Sequence, residues 1–170
     1  MSWDTEMVLI LRNLINDDGT NQTYTDNRLM ESLLAAAQIV SFEVSFPTTY
    51  TIDFDEYLIS PDPTNTAGGT RDNAFIALVT TKAACRIAMG EAKIASGQAI
   101  SVKDGSSAVD LREAAKYKDQ TAKTYCKDYA DMKYEYETSG ATGNNNFAFI
   151  TGPYRFFYGG NRGLEGNRRG

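Results

Sequence analysis

Apolar residues along this chain recur first with helical spacing, then briefly with strand spacing, then with helical spacing again. Met7, Leu11, Leu14 and Ile15 lie three and four apart, widened by Val8 and Ile10, and predict a first helix over 4–15 capped by Ser2 or Asp4. NDDGTNQ then reads as a turn. Leu29, Leu33, Ala36, Ala37 and Val40, with Met30 and Leu34 beside them, predict a second helix from Thr25 or Asp26 to about Val44, antiparallel to the first. Between 48 and 60 the period changes. Tyr50, Ile52 and Phe54 alternate with polar residues, as do Tyr57 and Ile59 after a shift at Asp55 and Glu56, which predicts a β-hairpin or a single bulged strand. SPDPTNTAGGT follows as a loop.

Phe75, Leu78, Val79, Ile87 and Met89, interspersed with Ala83, Ala84, Cys85 and Ala88, predict a third helix over about 72–96, with small residues that let neighbours approach closely. QAISVKDG suits a short strand or extended edge. From Ser106 or Ser107 a stripe running through Leu111, Ala115, Ala122, Tyr125, Tyr129, Met132 and Tyr136 predicts a fourth helix to about 138. At about 1.5 Å per residue, it is long enough to project beyond a small domain. The expected fold is mainly α, a small bundle of about four helices, one of them long, with a short β-hairpin and an extended C-terminal arm. The body covers 1–138. A Gly/Asn linker, the β-like NFAFIT and the arm make up 139–170.

Charge sharpens the distinction between body and arm. The 170 residues carry a net charge of −5, yet 151–170 hold Arg155, Arg162, Arg168 and Arg169 against Glu165 alone, leaving −8 for the rest. The acidic body repels polyanions and the arm attracts them, or attracts an acidic protein surface. Tyr154, Phe156, Phe157 and Tyr158 give the arm an apolar payload as well. Two readings suit it: an arginine- and glycine-rich nucleic-acid-binding segment, which normally repeats whereas this one does not, or an arm that docks into a groove of another protein. The tyrosines of the fourth helix, Tyr117, Tyr125, Tyr129, Tyr134 and Tyr136, occupy different faces, so a single small core does not bury them all. Tyr125, Tyr129, Tyr134 and Tyr136 are therefore candidates for a subunit interface, beside the plainer reading of core and ordinary surface.

Catalytic chemistry finds little to build on. The chain has no histidine, which removes Ser-His-Asp and Cys-His units and the commonest metal ligand, and it has neither a GxxxxGK[ST] phosphate loop nor a GxGxxG turn. DDGTN lacks the alternate oxygen ligands and terminal Glu of a calcium loop. The carboxylate pairs Asp53 with Asp55 and Asp128 with Asp131 read as solvated surface. Asn21-Gln22-Thr23 fits the glycosylation pattern, but MSWDTEM is not a secretory signal, and cytosol-like conditions are expected. Cys85 and Cys126, without CxxC spacing, read as free, buried or half-buried thiols. No catalytic, cofactor-binding or metal-binding residue is assigned, and no cofactor is expected.

The sequence resembles a known family in the order of its short patterns. L-R-x-L-I-x-D followed by Y-T-D-x-x-L at the start of two paired helices, then DNAFIALVTTKAAC and VKDGSSAVDLREAAK, resemble the head-to-tail connector (adaptor) proteins of tailed bacteriophages over most of residues 3–138. That resemblance implies a structural virion protein of the neck, assembled in the host cytoplasm as a ring, usually of twelve copies, beneath the portal. The ring extends the channel through which viral DNA passes without specific binding, and it offers a surface to tail or stopper proteins. It assigns the aromatic and basic arm, Tyr154, Arg155, Phe156, Phe157, Tyr158, Arg162, Arg168 and Arg169, to portal binding by hypothesis only, since the long C-terminal part departs from smaller members. Another neck or tail-completion protein, and a nucleic-acid-binding protein using the basic tail, are the alternatives.

Overall fold

The computed structural model describes residues 2–19, 22–66, 71–99 and 111–140. Its elements run α1 (Trp3–Ile15), α2 (Asp26–Glu43), β1 (Thr51–Asp53), β2 (Leu58–Ser60), α3 (Asn73–Ala99) and α4 (Leu111–Gly140). The fold is mainly helical with a two-stranded antiparallel hairpin. NFAFIT, the predicted Ser106 or Ser107 cap, most of QAISVKDG and the whole arm lie outside the described residues. Gln98 and Ala99, the first two residues of that predicted edge, continue α3 instead.

Three helix ends have a local cause, whereas Ser2, at the start of α1, makes no side-chain cap bond. Asn16 ends α1 in the left-handed region (φ 57°), which asparagine tolerates, and its N–H reaches the carbonyls of Arg12 and Asn13. Thr25 caps α2 by accepting the Arg28 N–H at 3.3 Å. The Asp72 carboxylate accepts the Phe75 N–H at 2.9 Å at the start of α3, and its second oxygen receives the Tyr50 hydroxyl at 3.0 Å. The hairpin pairs Thr51 with Ser60, Ile52 with Ile59 and Asp53 with Leu58, so 48–60 is two strands around a turn and not one bulged strand. Ile59 is its fully buried residue.

The core lies where α1, α2 and the first half of α3 meet: Met7, Leu11, Leu29, Leu33, Val40, Phe75, Leu78 and Val79 are buried. α4 lies along α3, contributing Tyr129 and Met132 to the core, with Ala122 buried as well. Helices of 27 and 30 residues are about 40 and 45 Å long, well beyond the 13 and 18 residues of α1 and α2. The projecting part is accordingly a two-helix tip, in which Lys93, Ile94, Lys116 and Tyr117 are exposed. An aromatic cluster holds the other end of α4 to the body. Phe46 meets Phe75 edge-on at 5.2 Å and Tyr136 at 5.3 Å, and Tyr50 stacks on Phe75 at 3.9 Å.

One expectation is corrected here. Cys85 and Cys126 are bonded to each other and are not free thiols, because antiparallel α3 and α4 bring their Cα atoms to 4.8 Å. That separation lies within the range a disulfide spans without moving the backbone.

Candidate assembly surfaces

Two charged clasps fix the body. Arg12, 5% exposed, sits at a core position of α1 one helical step from Val8 and Ile15, and its guanidinium is used by the loop that follows. Nη1 donates to Asp17 Oδ2 at 2.7 Å, Nη2 to the Tyr24 carbonyl at 2.9 Å and to Asp26 Oδ1 at 2.6 Å. Asp17, itself buried, accepts the backbone N–H groups of Thr23 and Tyr24. The second clasp centres on Glu43 at the end of α2, which takes Lys82 of α3 at 3.1 Å, the Tyr129 hydroxyl of α4 at 2.6 Å and Lys133 at 3.6 Å. Burial works to raise the Glu43 pKa, but the hydrogen bonds from Tyr129 and Lys82 and the two lysine charges outweigh it and hold the carboxyl below its ordinary range.

These clasps answer part of the tyrosine question. Tyr129 is buried, with its hydroxyl on Glu43 and Lys82 Nζ 4.2 Å from its ring centroid, so it packs into the chain's own core. Tyr125 is half-buried and donates to the Leu14 carbonyl at 2.5 Å, which ties α4 to the end of α1. Tyr136 is half-buried against Phe46. Burial raises the hydroxyl pKa of both Tyr125 and Tyr136. Only Tyr134 of the four, 68% exposed, presents most of its ring outward, and Tyr117 at 74% does the same near the tip. The three half-buried or buried tyrosines turn toward the body, Tyr125 to the end of α1, Tyr129 to Glu43 of α2 and Lys82 of α3, and Tyr136 to Phe46 after α2. Tyr154, Arg155, Phe156, Phe157, Tyr158, Arg162, Arg168 and Arg169 lie outside the described residues.

Other large apolar side chains are exposed as well. Phe42 is 92% exposed on α2, and Phe54, Tyr57 and Leu58 stand out from the hairpin turn. Two clefts flank α3. One, of about 260 Å³, lies between α2 and α3, lined by Tyr24, Glu31, Arg86, Gly90, Glu91 and Ile94. Across its mouth the Tyr24 hydroxyl donates to Glu91, which also pairs with Lys118 at 3.4 Å. The other, an open groove of about 660 Å³, runs between α3 and α4, floored by Met89, Ala92, Ala115 and Ala122, edged by Lys93 and Lys116, and ending at the disulfide. Among the described residues, no three His, Cys, Asp or Glu side chains come together to hold a metal ion, and no helix is long and apolar enough to cross a membrane.

Charge is unevenly divided along the chain. Residues 1–85 carry 4 basic and 12 acidic side chains, whereas 86–127, which includes the two-helix tip, carry 8 basic and 5 acidic. No protein-family model matches the chain, and neither a curated protein nor a solved structure matches it.

Proposed function

We propose that this chain is a structural head-to-tail adaptor of a tailed-phage particle, placed as a ring beneath the portal, with the aromatic and basic arm after Gly152 as its portal-binding element. One observation carries the reading. Of the residues on which the resemblance rests, Arg12, Asp17, Tyr24 and Asp26 form the clasp that joins α1 to α2, and Leu11 and Leu29 are buried in the core beside it. A buried guanidinium held by a buried carboxylate and a carbonyl is a specific arrangement, and the quoted patterns coinciding with it support the resemblance more than matching apolar residues do.

The rest of the molecule fits that role. Carboxylates dominate the body, and a channel lined by them repels DNA phosphates and lets the duplex slide. The arm combines four arginines with four aromatics in sixteen positions from Tyr154 to Arg169. Such a segment binds by filling apolar clefts and meeting acidic side chains, with an ordering cost offset by aromatic burial.

The test is to mix the full chain with purified portal rings and to image the mixture by electron microscopy, beside a chain truncated after Gly152. Added density under the portal that disappears with the truncation is expected. No portal binding, with salt-dependent retention on DNA instead, transfers the function to nucleic-acid binding by the basic tail.

A further inference from the structure

The groove between α3 and α4 and the turn of the hairpin are complementary in chemistry and lie on different sides of α3. The groove has an apolar floor, Met89, Ala92, Ala115 and Ala122, and its charged lining is Lys93 and Lys116, which make no ion pair among the described residues, beside Lys123 and Asp119, which pair with each other at 2.6 Å and leave the groove net positive. The hairpin turn reads Asp53-Phe54-Asp55-Glu56-Tyr57-Leu58. Phe54 is 49% exposed and Leu58 nearly as much, and the carboxylates of Asp55 and Glu56 likewise have no ion-pair partner among the described residues. The groove volume of about 660 Å³ is in the range that encloses a small ligand or a few side chains.

The turn is held in shape before it meets anything. Asp53 Oδ1 accepts the N–H groups of Asp55 at 2.8 Å and Glu56 at 3.0 Å, so little ordering entropy is left to lose on docking. The turn cannot reach the groove of its own chain. The Tyr57 hydroxyl lies 3.4 Å from Glu31, which lines the cleft on the α2 side of α3, whereas Lys93 and Met89 face the α4 side.

We propose that the hairpin turn of one copy seats in the α3–α4 groove of the next, with Phe54 and Leu58 on the alanine and methionine floor and Asp55 and Glu56 against Lys93 and Lys116. Two different patches make a head-to-tail contact, which repeats until the rotation closes a ring. The apolar insertion supplies the affinity; the four rim charges set the register and make association salt-dependent. The contact relies on the adaptor reading only for ring closure. Its test contains no portal, so failure here leaves portal docking standing, and failure of portal docking leaves this contact standing.

The experiment uses the full chain and sedimentation velocity over a concentration series at low and high salt. Wild type is expected to associate, less so at high salt. The double variants Asp55→Lys with Glu56→Lys, and Lys93→Glu with Lys116→Glu, each face like charges across the contact and are expected to associate at least about tenfold more weakly, with unchanged circular dichroism. A one-to-one mixture of the two variants has opposite charges at every contact and regains association. As a second arm, a benzophenone side chain in place of Phe54 is irradiated in a mixture of isotopically light and heavy chains. Crosslinks from position 54 of one chain to Met89 or to residues 115–122 of another are expected. A wild type that neither associates nor crosslinks between chains, variants that associate as wild type does, or a mixture that gains nothing overturns the proposal.

Discussion

Arg12 and Glu43 show how much of this fold depends on single charged side chains at helix junctions. Removing Arg12 leaves the buried Asp17 carboxylate without its cation, a loss of about 3 to 5 kcal/mol for buried pairs, so Arg12→Ala is expected to unfold at far lower denaturant than wild type. Asp26 is mostly exposed, and Asp26→Asn is expected to cost well under about 1 kcal/mol by the same titration. Glu43 adds a pH dependence whose sign follows from its lowered pKa. The ionised carboxylate contributes fully above its unfolded value near 4.5, and the contribution fades as pH falls through the lower folded value. Glu43→Gln keeps the shape and an acceptor for Tyr129 but loses the charge. Its Tm deficit, worth about 1 kcal/mol at neutral pH, is expected to shrink as pH falls below 4.5 and through the lower folded value in thermal melts. A deficit that stays constant with pH assigns the effect to packing alone.

At the scale of elements, the helices were legible because their apolar stripes are long and their caps are written locally. Thr25 and Asp72 each mark a start, and Ile52 with Ile59 marks the hairpin. The clasps were not read, although Arg12 interrupts an apolar stripe at a core position, and that interruption is the signal to look for a buried partner. The Cys85 to Cys126 bond was misread because the separation of 41 residues says nothing until α3 and α4 are known to be antiparallel. The packing of the fourth helix's tyrosines depends on tertiary placement in the same way: Leu14, Glu43 and Phe46, which meet Tyr125, Tyr129 and Tyr136, come from distant parts of the chain. The disulfide closes a loop whose chain-entropy value is about 4 kcal/mol, so Cys85→Ala with Cys126→Ala is expected to lower Tm by roughly 10 °C. A reductant is expected to lower wild type by a similar amount and the double variant not at all.

At the scale of the whole molecule, the decisive property is that charge is divided and not evenly spread. An acidic body with a more basic two-helix tip has a direction, and identical copies with a direction join head to tail more readily than face to face, since like ends repel. The tip is also where α3 and α4 leave the support of α1 and α2, so Lys93 and Lys116 can be altered without touching the core. This separation makes the roles of arm and body independently measurable. A chain truncated after Gly152 keeps both hairpin turn and groove, and is expected to retain the salt-dependent self-association of the full chain while losing attachment to portal rings. Sedimentation velocity of the truncated chain alone, followed by imaging with portals, checks the two halves in turn. Loss of self-association with the arm would move the contact between copies from the α3–α4 groove to the arm itself, and the rim-charge variants of the full chain would then associate as wild type does.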